Sequence, residues 1–473
     1  MSDSHFYVTT TLPYVNASPH IGFGLEITAA DVIARYQKML GKKVIFNTGT
    51  DEHGQKIYQK ALKNDQTMQG YCDFYAQKFA DLKKYLDLSY TNFIRTTDEH
   101  HLKAAQKFWQ LAEKNGDIYK AKYKVKYCVG CELEKTDSEL VDGRCPLHPK
   151  YDLEIREEEN YFFKFSQYQE QLLELYEKQA DFVQPPGKFN EIKAFVQQGL
   201  KDFSISRLKE KMPWGIPVPG DENHVMYVWF DALINYISTL GWPEDEKNSD
   251  YANFWPGVQL AGKDNLRQQS AMWQAMLMSA GLPNSQKILI NGFINVEGQK
   301  MSKSLGNVIS PEDMFQRYGS QASRYLLISL GVFAEDMDVS WTKFDEKYTA
   351  DLANGIGNLC SRVAKMAATE EIVAPKADIQ LNENYQQLMA DYELTKALDW
   401  VQDQVAEADK FLSETKPWKI EGEEKQQVLL TAIEKIQTIA VHLQPFMPET
   451  AAQIQQSFTG EIKPMQPMFP RLD

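Results

Sequence analysis

The feature that most constrains the fold of this chain is a strand–helix–strand pattern at its start. The segment "HFYVTTTL" (5–12) is rich in β-branched and aromatic residues, which is typical of a buried strand. After a loop with two prolines and a glycine, "LEITAADVIARYQKML" (25–40) has helical apolar spacing, and Gly41 ends it. "KVIFNTGT" (43–50) is a second strand. This unit predicts parallel strands that bind ligands at their carboxyl ends.

His20 lies between the first predicted strand and the helix. A helix N-terminus presents unpaired N–H groups and a partial positive charge, which favours binding of a phosphate group. The chain contains no G-x-G-x-x-G pattern, so the fingerprint of nicotinamide-binding proteins is missing.

A second alternation predicts strands and helices between residues 224 and 296. The predicted strands are "HVMYVWF" (224–230), "GVQLAG" (257–262) and "KILINGFINV" (287–296), and the helices are "DALINYISTLG" (231–241) and "KDNLRQQSAMWQAMLMSAG" (263–281). The last strand leads directly to "EGQKMSKSLGN" (297–307), which contains Lys300 and Lys303. A lysine pair considered alone is most simply interpreted as part of the solvated surface. Because His20 and Lys300 are both expected at one edge of one sheet, the pair indicates a phosphate-binding site.

Between the two halves lies the pattern C-x2-C-x13-C-x2-H. It consists of Cys128, Cys131, Cys145 and His148. Four thiolate and imidazole ligands suit tetrahedral zinc and leave no open position for catalysis, so we expect a structural metal site remote from the reacting groups. Cys72 and Cys360 lie in predicted helices, where buried free thiols are the better interpretation.

From about residue 346 the pattern becomes helical. Apolar residues at three- and four-residue spacing predict helices over 351–368, 384–414 and 425–446, which together make a bundle.

Charge and targeting signals limit the class of protein. The net charge of −14 counts against a wholly nucleic-acid-binding surface, although local basic patches remain open to RNA contact or simple solvation. These patches are "KAKYKVKY" (120–127), Lys201, Arg207, Lys209 and Lys211.

No apolar run is long enough to span a membrane, and the N-terminus is not that of a signal peptide. Five cysteines do not form a disulfide scaffold. We therefore expect a cytoplasmic protein.

These motifs together closely resemble the methionyl-tRNA synthetases, a family of class I aminoacyl-tRNA synthetases. The resemblance runs from end to end and is carried by "TLPYVNASPHIG", "TGTDEHG", the Cys/His pattern, "YVWFDA", "AGKD", "GQKMSKS", "GNLCSR" and "KPW". It implies ATP-dependent activation of L-methionine to the adenylate, followed by transfer to the 3′-terminal ribose of tRNA(Met) with release of AMP and pyrophosphate. It also implies one structural zinc and Mg²⁺ with ATP.

The resemblance implies a division of the chain. An α/β, Rossmann-like parallel-sheet catalytic domain occupies 1–114 and 213–296, a zinc-bearing connective insertion occupies 115–212, a KMSKS loop and stem-contact region occupies 297–345, and an all-α anticodon-binding bundle occupies 346–473. Because no C-terminal dimerisation domain follows, a monomer is expected.

Site roles are likewise implied residue by residue. His20, Lys300 and Lys303 match catalytic residues, and the ATP site adds Gly22, Phe23, Met301, Ser302 and Ser304. The methionine site comprises Leu12, Tyr14, Asp51, Trp229, Leu233, Tyr236, Asp264, Gln269 and Trp273, with Arg207 in its polar network. For Tyr236 and Trp273 an ordinary aromatic core is the competing interpretation. Asn358, Arg362 and Trp418 match anticodon-binding positions.

Two positions depart from the family pattern. Phe23 replaces the second histidine of the usual His-x-Gly-His signature and cannot donate a hydrogen bond to the nucleotide. Gln269 stands where many members have a histidine, and it can still donate to the methionine sulfur. Two rival functions remain. One is a small-molecule ligase or nucleotidyltransferase built on the same sheet, which the helical bundle disfavours. The other is an inactive RNA-binding paralogue, which Asp51, Lys300 and Lys303 disfavour.

Overall fold

The computed structural model of this chain describes residues 4–131, 133–135, 139–244, 249–301 and 306–472. The predicted Ser302, Lys303 and Ser304 lie outside these described residues.

A six-stranded parallel sheet forms the centre of the N-terminal half. In chain order its strands are β1 (His5–Thr9), β2 (Lys43–Thr50), β3 (Asn92–Arg95), β4 (Val183–Gln184), β5 (Val258–Gly262) and β6 (Lys287–Asn291). Their order in the sheet is β3-β2-β1-β5-β6-β4. Strand β1 therefore lies between β2 and β5. Its residue Val8 pairs with Phe46 of β2 on one side and with Val258 of β5 on the other. Such a switch in strand order opens a crevice at the carboxyl ends of the strands, where ligands bind.

Helix Ile21–Met39 connects β1 to β2 and confirms the predicted strand–helix–strand unit. It begins four residues before the predicted start because His20 caps it. The other helices of the first half are Gln55–Lys63, Met68–Ala80, Leu82–Tyr85 and Glu99–Lys114.

Two predicted strands of the second half are shorter than expected. The predicted strand at 224–230 ends at Met226, and Val228–Ala232 is helical. Strand Asp221–Met226 also lies outside the central sheet, in an antiparallel sheet with Ser206–Leu208 and Pro217–Val218. The helical turn buries Phe230 and Asp231 together, which the alternating sides of a strand would separate.

The predicted strand at 287–296 is broken at Gly292. Its first part is β6, and its second part, Ile294–Val296, joins a small sheet with Gln299–Lys300 and Met337–Val339. A Cβ atom at Gly292 would clash with the backbone of Glu335, so the chain crosses here at a distance only glycine permits.

The insertion is built on a four-stranded antiparallel sheet. Its strands, in sheet order, are Leu133–Lys135, Ile118–Cys128, Glu154–Phe163 and Phe203–Ser204. Helices Gln169–Lys178 and Pro186–Gln197 follow the third of these along the chain. Between them the chain returns to the central sheet as β4, so the segment predicted as an insertion also supplies the outer strand of the catalytic sheet.

The C-terminal part is a helical bundle, as predicted. Its helices beyond the predicted start at 346 are Tyr348–Gly357, Asn358–Thr369, Glu383–Ala390, Leu394–Thr415, Gly422–Leu443 and Pro448–Ser457. Two further helices, Pro311–Ser329 and Trp341–Lys347, begin before them, in the segment 297–345 predicted as the KMSKS loop and stem-contact region. Short helical segments elsewhere are Phe165–Tyr168, Asn235–Ser238, Asp250–Phe254, Lys263–Asn265, Gln268–Met272, Trp273–Ser279 and Pro417–Lys419. One continuous apolar core joins the bundle to the sheet face covered by helix Ile21–Met39. Among the described residues, no helix has the length and apolar character needed to cross a membrane.

Candidate active site

A cleft of about 500 Å³ opens at the carboxyl ends of β1 and β5, where the strand order switches. Ten of the residues predicted for the ATP and methionine sites line it: Leu12, Tyr14, His20, Gly22, Phe23, Asp51, Trp229, Asp264, Lys300 and Met301. These residues come from both halves of the sheet and from the segment after it. The tertiary fold therefore brings the two predicted phosphate-binding elements to one cavity.

The ring of His20 is held at the N-terminus of helix Ile21–Met39. Its Nδ1 accepts a hydrogen bond from the backbone N–H of Gly22 at 3.0 Å. Because Nδ1 is an acceptor, the neutral ring carries its proton on Nε2. A side chain at Gly22 would clash with this ring, so glycine is required for the capping geometry.

Lys300 and Met301 approach the same helix from the second half of the chain. The backbone of Lys300 pairs with Asn295, and its Nζ lies 5.0 Å from the centre of the Phe293 ring. The methyl group of Met301 would lie 3.8 Å from a Cβ placed on Gly22. Met301, in the described part of the lysine motif, thus lies against the first turn of this helix.

Asp51 and Tyr14 form one wall of the cleft. Their backbones pair in a parallel bridge, and Asp51 is buried. The hydroxyl of Tyr14 donates to the backbone carbonyl of His53 at 2.6 Å. These contacts place a carboxylate beside an aromatic ring, which suits a ligand with an ammonium group and an apolar side chain.

Four predicted methionine-site residues lie behind the cleft rather than on its lining. They are Leu233, Tyr236, Gln269 and Trp273, and all are buried in the core. The amide of Gln269 donates to the hydroxyl of Tyr236 at 2.7 Å. The ring of Trp273 packs edge-on against Tyr236 and stacks on Phe108. Direct contact of these four with a ligand stays a prediction.

Glu26 is a cleft residue that the sequence interpretation missed. Its Oε1 accepts hydrogen bonds from both the backbone and the hydroxyl of Thr11, at 2.8 and 2.6 Å. Burial, aided by the nearby carboxylate of Asp264, raises the pKa of Glu26 to about 8. The signal in the sequence was an acidic residue within the apolar surface of a helix that is buried on nearly every side.

A buried carboxylate supports the Asp51 wall and was also missed. Asp231 lies 2.7 Å from Nδ1 of His53 and 2.8 Å from Nε2 of His101. The two histidines lower the pKa of Asp231 against the effect of its burial. Both His53 and Asp231 lie within motifs already singled out, "TGTDEHG" and "YVWFDA".

The predicted metal ligands come together as expected. The ligand atoms of Cys128, Cys131, Cys145 and His148 all lie within 4.8 Å of one another. A Cβ at Gly130 would clash with the His148 ring, so this glycine lets the ring fold back over the cluster. Three thiols and one imidazole fit a closed tetrahedral metal site. The expectation that this cluster is remote from the cleft is wrong, because Cys131 and His148 line it.

Comparison with known proteins now decides the family. A model described as "tRNA synthetases class I (M)" matches residues 6–152 and 149–364. A methionine–tRNA ligase from Nostoc sp. is 40% identical over 478 residues, covering 96% of this chain and 90% of the relative. The one from Thermotoga maritima is also 40% identical, covering 97% and 76% of the two chains. This chain belongs to the methionine–tRNA ligases, a family of class I aminoacyl-tRNA synthetases.

Solved structures agree with the family assignment. Mycobacterium tuberculosis methionyl-tRNA synthetase, solved in complex with methionyl-adenylate, superposes with a TM-score of 0.92 at 33% identity. The match covers 99% of this chain and 100% of that one. The Rossmann-like sheet and helical C-terminal region of this chain are therefore those of a methionine–tRNA ligase.

Phe23 is the departure from the ligase signature that lies in the cleft itself. Its ring meets Phe79 edge-on, with centroids 5.6 Å apart. An aromatic pair thus stands where many ligases have a second histidine, and this wall presents rings rather than a hydrogen-bond donor.

The candidate anticodon residues lie in the helical bundle. Asn358 is exposed one turn before Arg362 on helix Asn358–Thr369. Arg362 forms an ion pair with Asp409 at 3.0 Å, and its guanidinium lies 5.8 Å from the Trp418 ring. Trp418 is 49% exposed, which is high for so large an aromatic side chain.

Arg207 lies outside the cleft, in a second pocket described below. It is buried, so simple solvation does not account for this member of the basic patches. Lys120, by contrast, is a surface residue paired with Asp221 at 3.0 Å.

Proposed function

We propose that this chain activates L-methionine with ATP and transfers it to the 3′-terminal ribose of tRNA(Met), releasing AMP and pyrophosphate. The observation that carries the proposal is that His20 and Lys300, from opposite halves of the sheet, line one cleft at its switch point. A relative of the same fold holds methionyl-adenylate.

In the first step the methionine carboxylate attacks the α-phosphate of ATP, and pyrophosphate leaves. Negative charge builds on phosphate oxygens, so positioned donors and cations lower the barrier. The Nε2–H of His20 donates to such an oxygen, and the ammonium groups of Lys300 and Lys303 neutralise the triphosphate. Mg²⁺ bound to the triphosphate would supply further positive charge against that of the leaving pyrophosphate.

The Asp51 wall binds the methionine. The Asp51 carboxylate pairs with the substrate ammonium, while Tyr14 and Trp229 contact the thioether, which gains from aromatic neighbours. Leu12 adds apolar surface. Tyr236 and Gln269 lie behind these residues and limit how deep the methionine pocket is.

The Cys/His cluster could hold a metal ion, and we propose zinc. Cys128, Cys131, Cys145 and His148 would bind it, and its contribution would be to the folding of the insertion, since a closed set of four ligands offers no site for substrate.

Recognition of tRNA is assigned to the bundle. The exposed ring of Trp418 offers a stacking surface, and Arg362 and Asn358 offer hydrogen-bond donors for unpaired anticodon bases.

Pyrophosphate exchange and tRNA charging together test the proposal. We expect methionine-dependent exchange of labelled pyrophosphate into ATP without tRNA, and esterification of tRNA(Met) when tRNA is added. Exchange without charging would indicate the small-molecule ligase, and tRNA binding with neither activity would indicate the inactive paralogue. Leucine, isoleucine and valine serve as control substrates.

A further inference from the structure

A second pocket, of about 460 Å³, lies between the insertion and the catalytic sheet. Its lining comes from three parts of the chain. They are Glu139, which lies between Cys131 and Cys145 in the sequence, the insertion between residues 165 and 207, and the catalytic segment between residues 227 and 272. Its volume is within the range of about 300–1,000 Å³ typical of pockets for small ligands.

The pocket adjoins the active-site cleft. Gln268 lines both cavities. Its side chain is only 3% exposed, and Oε1 has no hydrogen-bond partner among the residues that the structure describes. A buried acceptor without a partner costs free energy, so this oxygen is suited to a donor brought by a ligand.

The lining combines aromatic rings with cations. The rings of Phe165, Phe195 and Phe203 face this space. The guanidinium of Arg267 lies 4.2 Å from the centre of the Phe195 ring and forms an ion pair with Glu139 at 2.9 Å. Aromatic surfaces beside cations are how proteins hold single-stranded nucleic acid, because bases stack and phosphates are neutralised.

Two further cations complete the lining. Lys201 is exposed at the pocket. Arg207 is 6% exposed and donates to the hydroxyl of Ser204 at 2.8 Å and to the backbone carbonyl of Ser206 at 2.7 Å. Among the lining residues that the structure describes, three cations face one carboxylate, which makes this a locally positive site in a chain whose net charge is −14. The local excess favours a polyanion over an uncharged small molecule.

We propose that this pocket holds a nucleotide of the single-stranded acceptor end of tRNA while the terminal ribose reaches the neighbouring cleft. The inference rests on the proposed function, since it needs tRNA to be a substrate. In it, Phe195 stacks on a base, Lys201 neutralises a phosphate, and Gln268 accepts a hydrogen bond from the ribose or base. The pocket thereby guides the transfer step and takes no part in adenylate formation.

Two variants test this assignment. Phe195→Ala and Lys201→Ala should each leave methionine-dependent pyrophosphate exchange within about twofold of the unaltered chain. Each should lower kcat/KM for tRNA in charging, by about tenfold for the lost stacking surface and by a smaller factor for the lysine. Lys201→Ala should also make charging less sensitive to salt, because one phosphate contact is removed. Lys178→Ala, an exposed lysine elsewhere on the insertion, is the matched control and should change neither activity.

A direct test uses tRNA(Met) with a photoreactive adenosine at its 3′ end or a photoreactive cytidine next to it. Crosslinks to the peptide containing residues 195–203 support the inference, and they should weaken in Phe195→Ala. Normal charging by both variants, or crosslinks confined to other parts of the chain, would overturn it. Loss of exchange in Lys201→Ala would also overturn it, because an acceptor-end contact cannot affect a step without tRNA. Failure of the unaltered chain to exchange or charge would instead reject the proposed function itself.

Discussion

The carboxylate of Asp231 lies 2.7 Å from Nδ1 of His53, and both side chains are buried. This contact joins the helix that carries Trp229 to the loop that carries Asp51, so two walls of the proposed methionine site share one buried anion. The backbone carbonyl of His53 accepts the Tyr14 hydroxyl, which extends the connection to the cleft.

Replacement of Asp231 by asparagine should therefore damage both stability and methionine binding. His53 and His101 contact different oxygens of the Asp231 carboxylate, so asparagine places an NH2 group opposite one of the two ring nitrogens. Leaving a buried polar group without its hydrogen-bond partner costs about 1–3 kcal/mol. We expect a lower free energy of unfolding and a raised KM for methionine in pyrophosphate exchange, with a smaller change in KM for ATP. An equal rise in both KM values would mean that Asp231 only holds the fold.

Glu26 gives a pH-dependent prediction. Its folded-state pKa is about 8, above the ordinary value of 4.5, so the folded chain holds a proton that the unfolded chain has released. Folding stability contributed by this group is complete below pH 4.5 and is lost as the pH rises towards 8. Glu26→Gln keeps an acceptor for Thr11 but does not titrate. We expect the variant to become more stable relative to the unaltered chain between pH 5 and 8, with each pKa unit worth about 1.4 kcal/mol. Denaturant unfolding at several pH values measures this, and parallel curves would contradict it.

Lys300→Ala should slow adenylate formation while methionine binding changes little. The charge of Lys300 is needed mainly when the phosphate reacts, and loss of one such positioned group typically lowers kcat by about 10²–10³-fold. The same holds for Lys303→Ala. Single-turnover formation of the adenylate is the measurement, and Lys107→Ala on the exposed side of helix Glu99–Lys114 is the control. Rates near those of the unaltered chain would mean that the two lysines take no part in adenylate formation.

Trp418→Ala should impair tRNA charging without impairing the activation of methionine. A ring that stacks on an anticodon base contributes roughly 1–3 kcal/mol to tRNA binding. We expect at least a tenfold loss of charging at low tRNA concentration, with pyrophosphate exchange retained. Because Trp418 is half exposed, the melting temperature should change little. If exchange, charging and melting all fell together, the tryptophan would be structural.

Metal content tests the Cys/His cluster. We expect one zinc per chain in protein purified without chelator, and its loss in Cys145→Ala. Because zinc binding contributes to folding, the variant should loosen the insertion and weaken charging. Since the cluster borders the cleft, adenylate formation should also fall, which a remote cluster would not cause. Cys360→Ala, at a buried thiol outside the cluster, should keep its zinc.

The sequence by itself determined the elements that local patterns encode. The apolar runs of β1, β2 and β5, the helical spacing of the bundle and the spacing of Cys128, Cys131, Cys145 and His148 all predicted what the structure contains. These features depend on residues near one another in the chain, where backbone geometry and ligand spacing leave few alternatives. The meeting of His20 with Lys300 also followed, because parallel strands bring their carboxyl ends to one edge.

Only the tertiary structure decided the features that depend on contacts between distant segments. Residues 228–230, predicted as the end of a strand, are helical together with Asp231, whose buried carboxylate contacts His53 and His101 from elsewhere in the chain. Gly292 broke another strand because the backbone near Glu335 crosses it. The raised pKa of Glu26 and the position of the metal cluster at the cleft likewise come from packing between elements. Such effects are invisible in local periodicity, because desolvation and steric contact depend on which surfaces meet in the folded chain.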